Sequence, residues 1–381
     1  MSESTVRVDD PGDLIAAIPS MLSFPPTRSL VVITLRHRDV AGGDRETLIE
    51  TVARFDLGPD PERLARTAVR ACIRGTDAVM VVFVDDRATP EDAQTQRRLL
   101  PMLTDGFTDA GVRVAGAWAT SRIEAGEPWQ AVTNPVIAGT LPDPMSGAVA
   151  AATAASGGPI RRSREEITAL VALDSSAAAQ LDTVLPVALD EIHQRWRLAS
   201  DRGELDAIRR EAIEFILDRV RDISRGEQPS SDDLARIALT VGDGFVGLVM
   251  LAVSAGEHAH AAEALWLRLT RCLRGAVRAE PAALLAYSAY LRGDGSLATS
   301  AIKAAFAADP DHPLADLLAD ALRDGYPHST LRALADRGID TATQLGIDLP
   351  VTRPRDYRSR PARQARRAHP DRPISIPIHL I

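Results

Sequence analysis

The sequence predicts an α/β sandwich N-terminal domain, with a mixed sheet built from a hairpin plus a βαβαβ succession, followed by an all-α, tetratricopeptide-like helical domain. Three observations carry this prediction. Asp77-Ala-Val-Met-Val-Val-Phe-Val-Asp-Asp86 is an unbroken apolar run bounded by acids, the pattern of a strand buried on both faces. At Asp10-Pro11 and again at Asp60-Pro61, an N-cap acid and a proline open stretches with apolar residues at helical spacing. In the second half, Gly256, Ala261, Ala264 and Leu265 recur as Gly293, Ala298, Ala301 and Ile302, a period of 37 residues.

In chain order, Leu14, Ile15, Ile18 and Leu22 form the first helical face, which Pro19 is expected to bend or end. Phe24-Pro25-Pro26-Thr27-Arg28 turns the chain into a strand over Ser29–Arg36. Gly42-Gly43-Asp44 and a second strand over Leu48–Leu57 complete a hairpin. The helix opened by Asp60 carries Leu64, Ala68, Val69, Cys72 and Ile73 on one face, and Gly75 ends it. After the central strand, Thr89-Pro90-Glu91-Asp92 opens a helix with Leu99, Met102, Leu103 and Phe107 inward, which Pro101 is expected to kink or divide. In the next strand Val112, Val114 and Trp118 alternate with Arg113, Ala115 and Ala117. Strands joined through helices are expected to lie parallel in one sheet of a two- or three-layer sandwich. From Ser121 to Pro159 the pattern weakens, apart from a small-residue helix over Ala148–Ala155.

The expected divisions are the α/β domain over 1–160, a helical connecting region over 161–228, tetratricopeptide-like repeats over 229–349 and a disordered Arg/Pro-rich tail over 350–381. Ser163-Arg-Glu-Glu166 reads as a capping box that opens the helical half. Leu181, Val184, Leu185, Leu189, Ile192 and Trp196 form one stripe, and Ile208, Ala212, Phe215 and Ile216 another. The polar stretch Gly226–Ser231 reads as an internal linker. The repeats match the tetratricopeptide pattern at Leu285, Ala298, Ile302 and Pro310, while its tryptophan and tyrosine positions hold Ala282 and Ala289.

Composition narrows the chemistry. The 381 residues carry a net charge of −8, and Lys303 is the only lysine, which weighs against phosphate-loop, Schiff-base or lysine-base mechanisms. Cys72 and Cys272, far apart on apolar helix faces, read as reduced core thiols, so a cytoplasmic location is expected. The longest apolar run, Phe245–Ala255, is too short to span a bilayer. No Gly-x-Ser-x-Gly elbow, His-Glu-x-x-His helix, paired Cys-x-x-Cys or phosphate-binding loop occurs. Gly242-Asp-Gly-Phe-Val-Gly247 has the letters of a dinucleotide fingerprint, but a helical stretch precedes it, so it reads as an inter-helix turn. Glu257, His258 and His260 likewise read as a solvated turn, and neither a cofactor nor a metal is expected.

The candidate ligand-binding residues are Asp85, Asp86, Thr120 and Arg122, which end the two parallel strands on one edge, where α/β proteins place ligands. The structural alternative is that the acids solvate the strand exit. A site requires Arg122 within about 4–6 Å of the acids. The lack of an acid in the first strand weakens a nuclease reading.

The tail holds eight arginines against two acids from Val351 to Ile381, a composition that forms no core and suits at most a weak anionic partner. Its last residues, Ile374–Ile381, alternate in a way that suits addition to a sheet edge.

Phe24-Pro-Pro-Thr-Arg-Ser-Leu-Val-Val32, Leu141-Pro-Asp-Pro-Met-Ser146, Ser163-Arg-Glu-Glu166 and Gly293-Asp-Gly-x-x-Ala298 running to Asp309-Pro310 together resemble an uncharacterised actinobacterial domain-of-unknown-function family (DUF4192). The resemblance implies an intracellular bacterial protein of the same two-part architecture and brings no catalytic residues. The reading is therefore a non-enzymatic protein-interaction, regulatory or scaffold protein with a protein partner or self-association, and no membrane or nucleic-acid motif. The alternative is a small-molecule-binding or hydrolytic α/β domain using the strand-end residues.

Overall fold

In the computed structural model, which describes residues 5–8, 10–39, 45–87, 90–147, 149–151, 161, 163–326, 328–349 and 376–379, the acid-bounded run becomes Ala78–Val84, buried at every position. This strand, β4, lies inside a six-stranded sheet formed with β2 (Ser29–Asp39), β3 (Arg45–Asp56), β5 (Arg113–Thr120), β6 (Pro128–Ala131) and β7 (Ala138–Thr140). The order is β3-β2-β4-β5-β6-β7. β4 runs antiparallel to β2 and parallel to β5, so the sheet is mixed. The 40–44 turn of the β2–β3 hairpin lies outside the described residues.

Val79, Val81 and Phe83 share one core with Leu30, Val32, Ala65, Ala68, Leu99, Leu103 and Phe107. That face is covered by α2 (Pro61–Cys72) and α3 (Pro90–Asp109). Burying each large side chain there stabilises the fold by about 1.5–3 kcal/mol. The other face carries Val82, Trp118 and Trp129. A Cβ on Gly12, in α1 (Pro11–Leu22), would come within 2.9 Å of the Trp129 indole nitrogen, which places the start of α1 on this side. The α/β part therefore has three layers.

Both prolines sit inside unbroken helices. α1 passes Pro19 and reaches Leu22, with Leu14, Ile15 and Ile18 at most 2% exposed. α3 passes Pro101, flanked by fully buried Leu99, Leu103 and Phe107. In each case apolar burial on the sheet outweighs the cost of an interior proline, roughly 3 kcal/mol.

The alternation expected in β5 also breaks. The register steps from Val79↔Val114 to Met80↔Gly116, so Ala115 is an extra residue. Ala117 thereby joins the core beside Val81, and Trp118 turns to the opposite face, where its ring lies over Gly116. The short strands β6 and β7 were not anticipated. The 148–155 helix falls largely outside the described residues, of which 149–151 are helical.

By contacts the chain forms two compact units, dividing between Arg164 and Glu165. The second contains α4 (Arg164–Leu170), α5 (Ser175–Arg202), α6 (Leu205–Ser224), α7 (Ser231–Thr240), α8 (Gly244–Ala255), α9 (Ala259–Cys272), α10 (Ala279–Leu291), α11 (Gly295–Ala308), α12 (Pro313–Arg323) and α13 (His328–Gln344). Residues 226–231 are the turn between α6 and α7. Ser230 and Asp233 form a reciprocal capping box there, so the stretch lies within one unit.

α8–α9 and α10–α11 are successive helical hairpins, with Gly256 and Gly293, 37 residues apart, at their inter-helix turns. Every residue of α10 except Glu280 is buried, so the helix is enclosed on all sides. α13 packs back on α8, and Gly338 permits this approach because a Cβ there would overlap the Leu248 carbonyl. Arg278 fastens the unit from within, donating to the carbonyls of Thr270 and Val171 at 2.7 Å each. Among the described residues no single helix is long and apolar enough to cross a membrane.

The stripe read along α5 is core-facing only at its start. Leu181 is buried, whereas Val184, Leu185, Leu189, Ile192 and Trp196 are half-buried. Of residues 350–381, those described are Ile376–His379, which form β8. It pairs antiparallel with β1 (Thr5–Val8), with Thr5 opposite His379 and Val8 opposite Ile376.

Candidate functional site at the strand ends

The register brings the start of β2 and the ends of β3, β4 and β5 to one edge, since Ser29 lies opposite both Asp56 and Val84, and Val84 opposite Thr120. All four sequence-predicted residues stand on this edge. They do not form one cluster.

Asp85 is drawn inward, its side chain only 2% exposed, and its amide donates to the Thr120 carbonyl at 3.1 Å. Both carboxylate oxygens accept from Arg87, Oδ1 from Nε at 2.9 Å and Oδ2 from Nη2 at 2.8 Å. This two-pronged arrangement is the strongest geometry available to an arginine–carboxylate pair. A cation at Asp85 would have to displace Arg87. Asp86 faces solvent.

The Thr120 hydroxyl donates to the Arg122 carbonyl at 2.8 Å, with the Pro128 carbonyl 3.0 Å away, and so fastens the β5–β6 turn. The Arg122 guanidinium lies 3.4 Å from Glu127, whose other oxygen accepts from the Ser121 hydroxyl at 2.6 Å. Among the described residues no hydrogen bond or ion pair joins Arg122 to Asp85 or Asp86. The strand-end groups are thus two separate pairs, each closing a local turn.

A third arrangement on this edge was missed. Arg54 donates to the Ser29 hydroxyl at 2.8 Å, pairs with Asp56 and lies over the Phe24 ring at 5.9 Å. Arg164 approaches the other Asp56 oxygen at 3.0 Å. Burial alone would raise the Asp56 carboxyl, but the two arginines outweigh it and hold the group below its ordinary value. The Ser29 hydroxyl donates onward to the Thr27 carbonyl at 2.7 Å. The Phe24–Ser29 segment is thereby pinned to β3. Within it Arg28 adopts a left-handed backbone, φ 44°, with an exposed side chain.

Other motifs resolve into structure. Asp243 caps α8, accepting from the Phe245 and Val246 amides, while Arg209 pairs with it and stacks on Phe245 at 4.1 Å. The glycine-rich letters there follow helix α7. Glu257 and His258 lie at the turn between α8 and α9, whereas His260 stands in the first turn of α9. Burial pushes the Cys72 thiol up to about 12 and the Cys272 thiol up to about 11, so neither is a thiolate nucleophile at neutral pH.

The pinned segment is among those that carry the family resemblance, and the family model described as Domain of unknown function (DUF4192) matches residues 11–329. The chain belongs to this family. No curated protein and no solved structure matches it. In this DUF4192 member the Phe24–Ser29 segment is tied to β3 within the hairpin, and the paired charges at the strand ends hold turns.

Proposed function

We propose that this DUF4192 protein is a non-enzymatic interaction protein of the scaffold or regulatory kind, with its binding surface on the helical unit. One observation carries the reading. Between buried Leu181 and buried Ala199, no residue of α5 is fully buried, and Val187 and Leu198 are 63% and 52% exposed. A helix anchored at both ends, with exposed apolar side chains set among charged ones between them, offers a surface for another protein. The helical hairpins support a tetratricopeptide-like reading of this unit, in which the enclosed α10 makes a rigid base and the outer helices supply contacts. Two free buried thiols suit a reducing cytoplasm.

The test is affinity capture of the full chain from its native cell, with and without Val187→Glu and Leu198→Glu. Loss of the captured protein with the variant supports the reading. An unchanged set of captured proteins contradicts it.

A second reading, a small polar ligand at the strand ends, draws on Arg28. Its backbone is held in a conformation unusual for a side-chain-bearing residue, and such residues concentrate at ligand sites. A ligand that raises the melting temperature of the wild type but of neither Arg28→Ala nor Asp86→Ala would favour it.

A further inference from the structure

We infer that the exposed face of α5 receives a second copy of this chain, the two α5 helices packing antiparallel about a two-fold axis between Ile192 and His193. This names the partner of the surface proposed above and rests on that reading for the surface alone.

At 100° per residue, Val187, Glu191, Gln194 and Leu198 fall within about 60° of one another, forming a stripe roughly 16 Å long. Val187 and Leu198 are its exposed apolar ends. The shallow open groove lined by Ser176, Gln180, Thr183, Val184 and Ser231 extends the same face toward the helix start.

Charge chooses the occupant and its direction. Asp190 and Glu191 precede the midpoint, and Arg195 and Arg197 follow it. All four are exposed. Arg195 also pairs with Glu211 at 2.6 Å, whereas Asp190, Glu191 and Arg197 have no ion pair among the described residues. A parallel pair would set acid against acid and arginine against arginine.

The antiparallel pair sets Val187 against Leu198 of the second copy and Glu191 against its Gln194. On one flank Asp190 lies two residues, about 3 Å along the axis, from the level of Arg197 of the second copy, within reach of the arginine side chain. On the other, Glu191 lies one residue, about 1.5 Å along the axis, from the level of its Arg195. Two-fold symmetry makes each contact occur twice. Since Leu181 and Ala199 already hold the helix ends, little ordering is needed for association.

The experiment is sedimentation equilibrium of the full chain across concentration, for the wild type, Asp190→Arg, Arg197→Asp and an equimolar mixture of the two variants. Neither altered residue has an intramolecular ion pair among the described residues, and circular dichroism checks that each variant remains folded. The wild type is expected to dimerise. Each variant alone places like charges across the axis twice and is expected to associate about tenfold more weakly. In the mixture, pairing one variant with the other restores opposite charges at both contacts, and wild-type affinity is expected to return.

A wild type that stays monomeric to its solubility limit overturns the inference, as does a dimer indifferent to both reversals. A monomer that captures a different protein through Val187 and Leu198 overturns the second-copy assignment and leaves the interaction reading standing. A monomer with no capture dependent on these residues removes both.

Discussion

Arg87 closes both oxygens of the buried Asp85 carboxylate, at 2.9 Å and 2.8 Å. The pair explains how an acid comes to lie inside the exit of the central strand. Arg87→Ala leaves that carboxylate enclosed without its guanidinium partner, while the backbone amide at position 87 stays 3.3 Å from Oδ1. Because the arginine side chain is 43% exposed, the expected cost is about 2–3 kcal/mol, less than the 3–5 kcal/mol of a fully dry pair. Urea unfolding measures it. Asp86→Ala, at a solvent-facing position, is expected to stay within about 0.5 kcal/mol of the wild type.

Two carboxyls pull the pH dependence in opposite directions. At Asp56, burial raises the group but Arg54 and Arg164 lower it further, so its folded pKa lies below the unfolded one. Its contribution is present above the unfolded pKa and is lost as pH falls through the folded pKa. At Glu50, burial raises the carboxyl, with Arg36 opposing and Asp77 reinforcing. That contribution is complete below the unfolded pKa and is lost as pH rises through the folded pKa. Asp56→Asn should therefore flatten the loss of stability below about pH 4, and Glu50→Gln should remove a loss that develops above it. Melting temperatures across the acid range decide both, and a steeper acid loss in Asp56→Asn would contradict the first.

Gly338→Ala tests the return of α13 onto α8. The added Cβ would overlap a backbone carbonyl, that of Leu248, which has no rotamer by which to yield. A loss of about 1–3 kcal/mol is expected, with the helix content of the folded state unchanged.

The thiols offer a probe of opening. With both groups buried and their pKa raised to about 12 and about 11, alkylation of Cys72 and Cys272 should follow unfolding. Rapid labelling under native conditions would contradict their placement.

What could be read from sequence follows from how local each cause is. The acid-bounded strand, the caps at Asp10 and Asp60 and the hairpin strands are set by neighbouring residues, and they stand where periodicity placed them. At Pro19 and Pro101 the helices continue, because a proline's cost is local while the burial opposing it comes from the rest of the fold. The inserted Ala115 shifts every later side chain of β5 to the other face, and no alternation pattern signals such a bulge in advance. β6 and β7 span four and three residues, too few for a period to show.

At the candidate site, strand order correctly put Asp85, Asp86, Thr120 and Arg122 on one edge. The partners of the charges were not legible. Arginine choice depends on backbone direction after the strand, which sends Arg87 to Asp85 and Arg122 to Glu127. Arg87 was nonetheless visible as the residue immediately after the two acids.

The most direct test of the central claim compares the two surfaces in one measurement: quantitative co-capture from the native cell by wild type, by Val187→Glu with Leu198→Glu, and by Asp86→Ala with Arg122→Ala, with a differently tagged copy of this chain co-expressed. Binding of the second copy is expected to be lost when the α5 face is changed and kept when the strand-end residues are changed. Binding that survives the α5 changes and fails with the strand-end changes would contradict it.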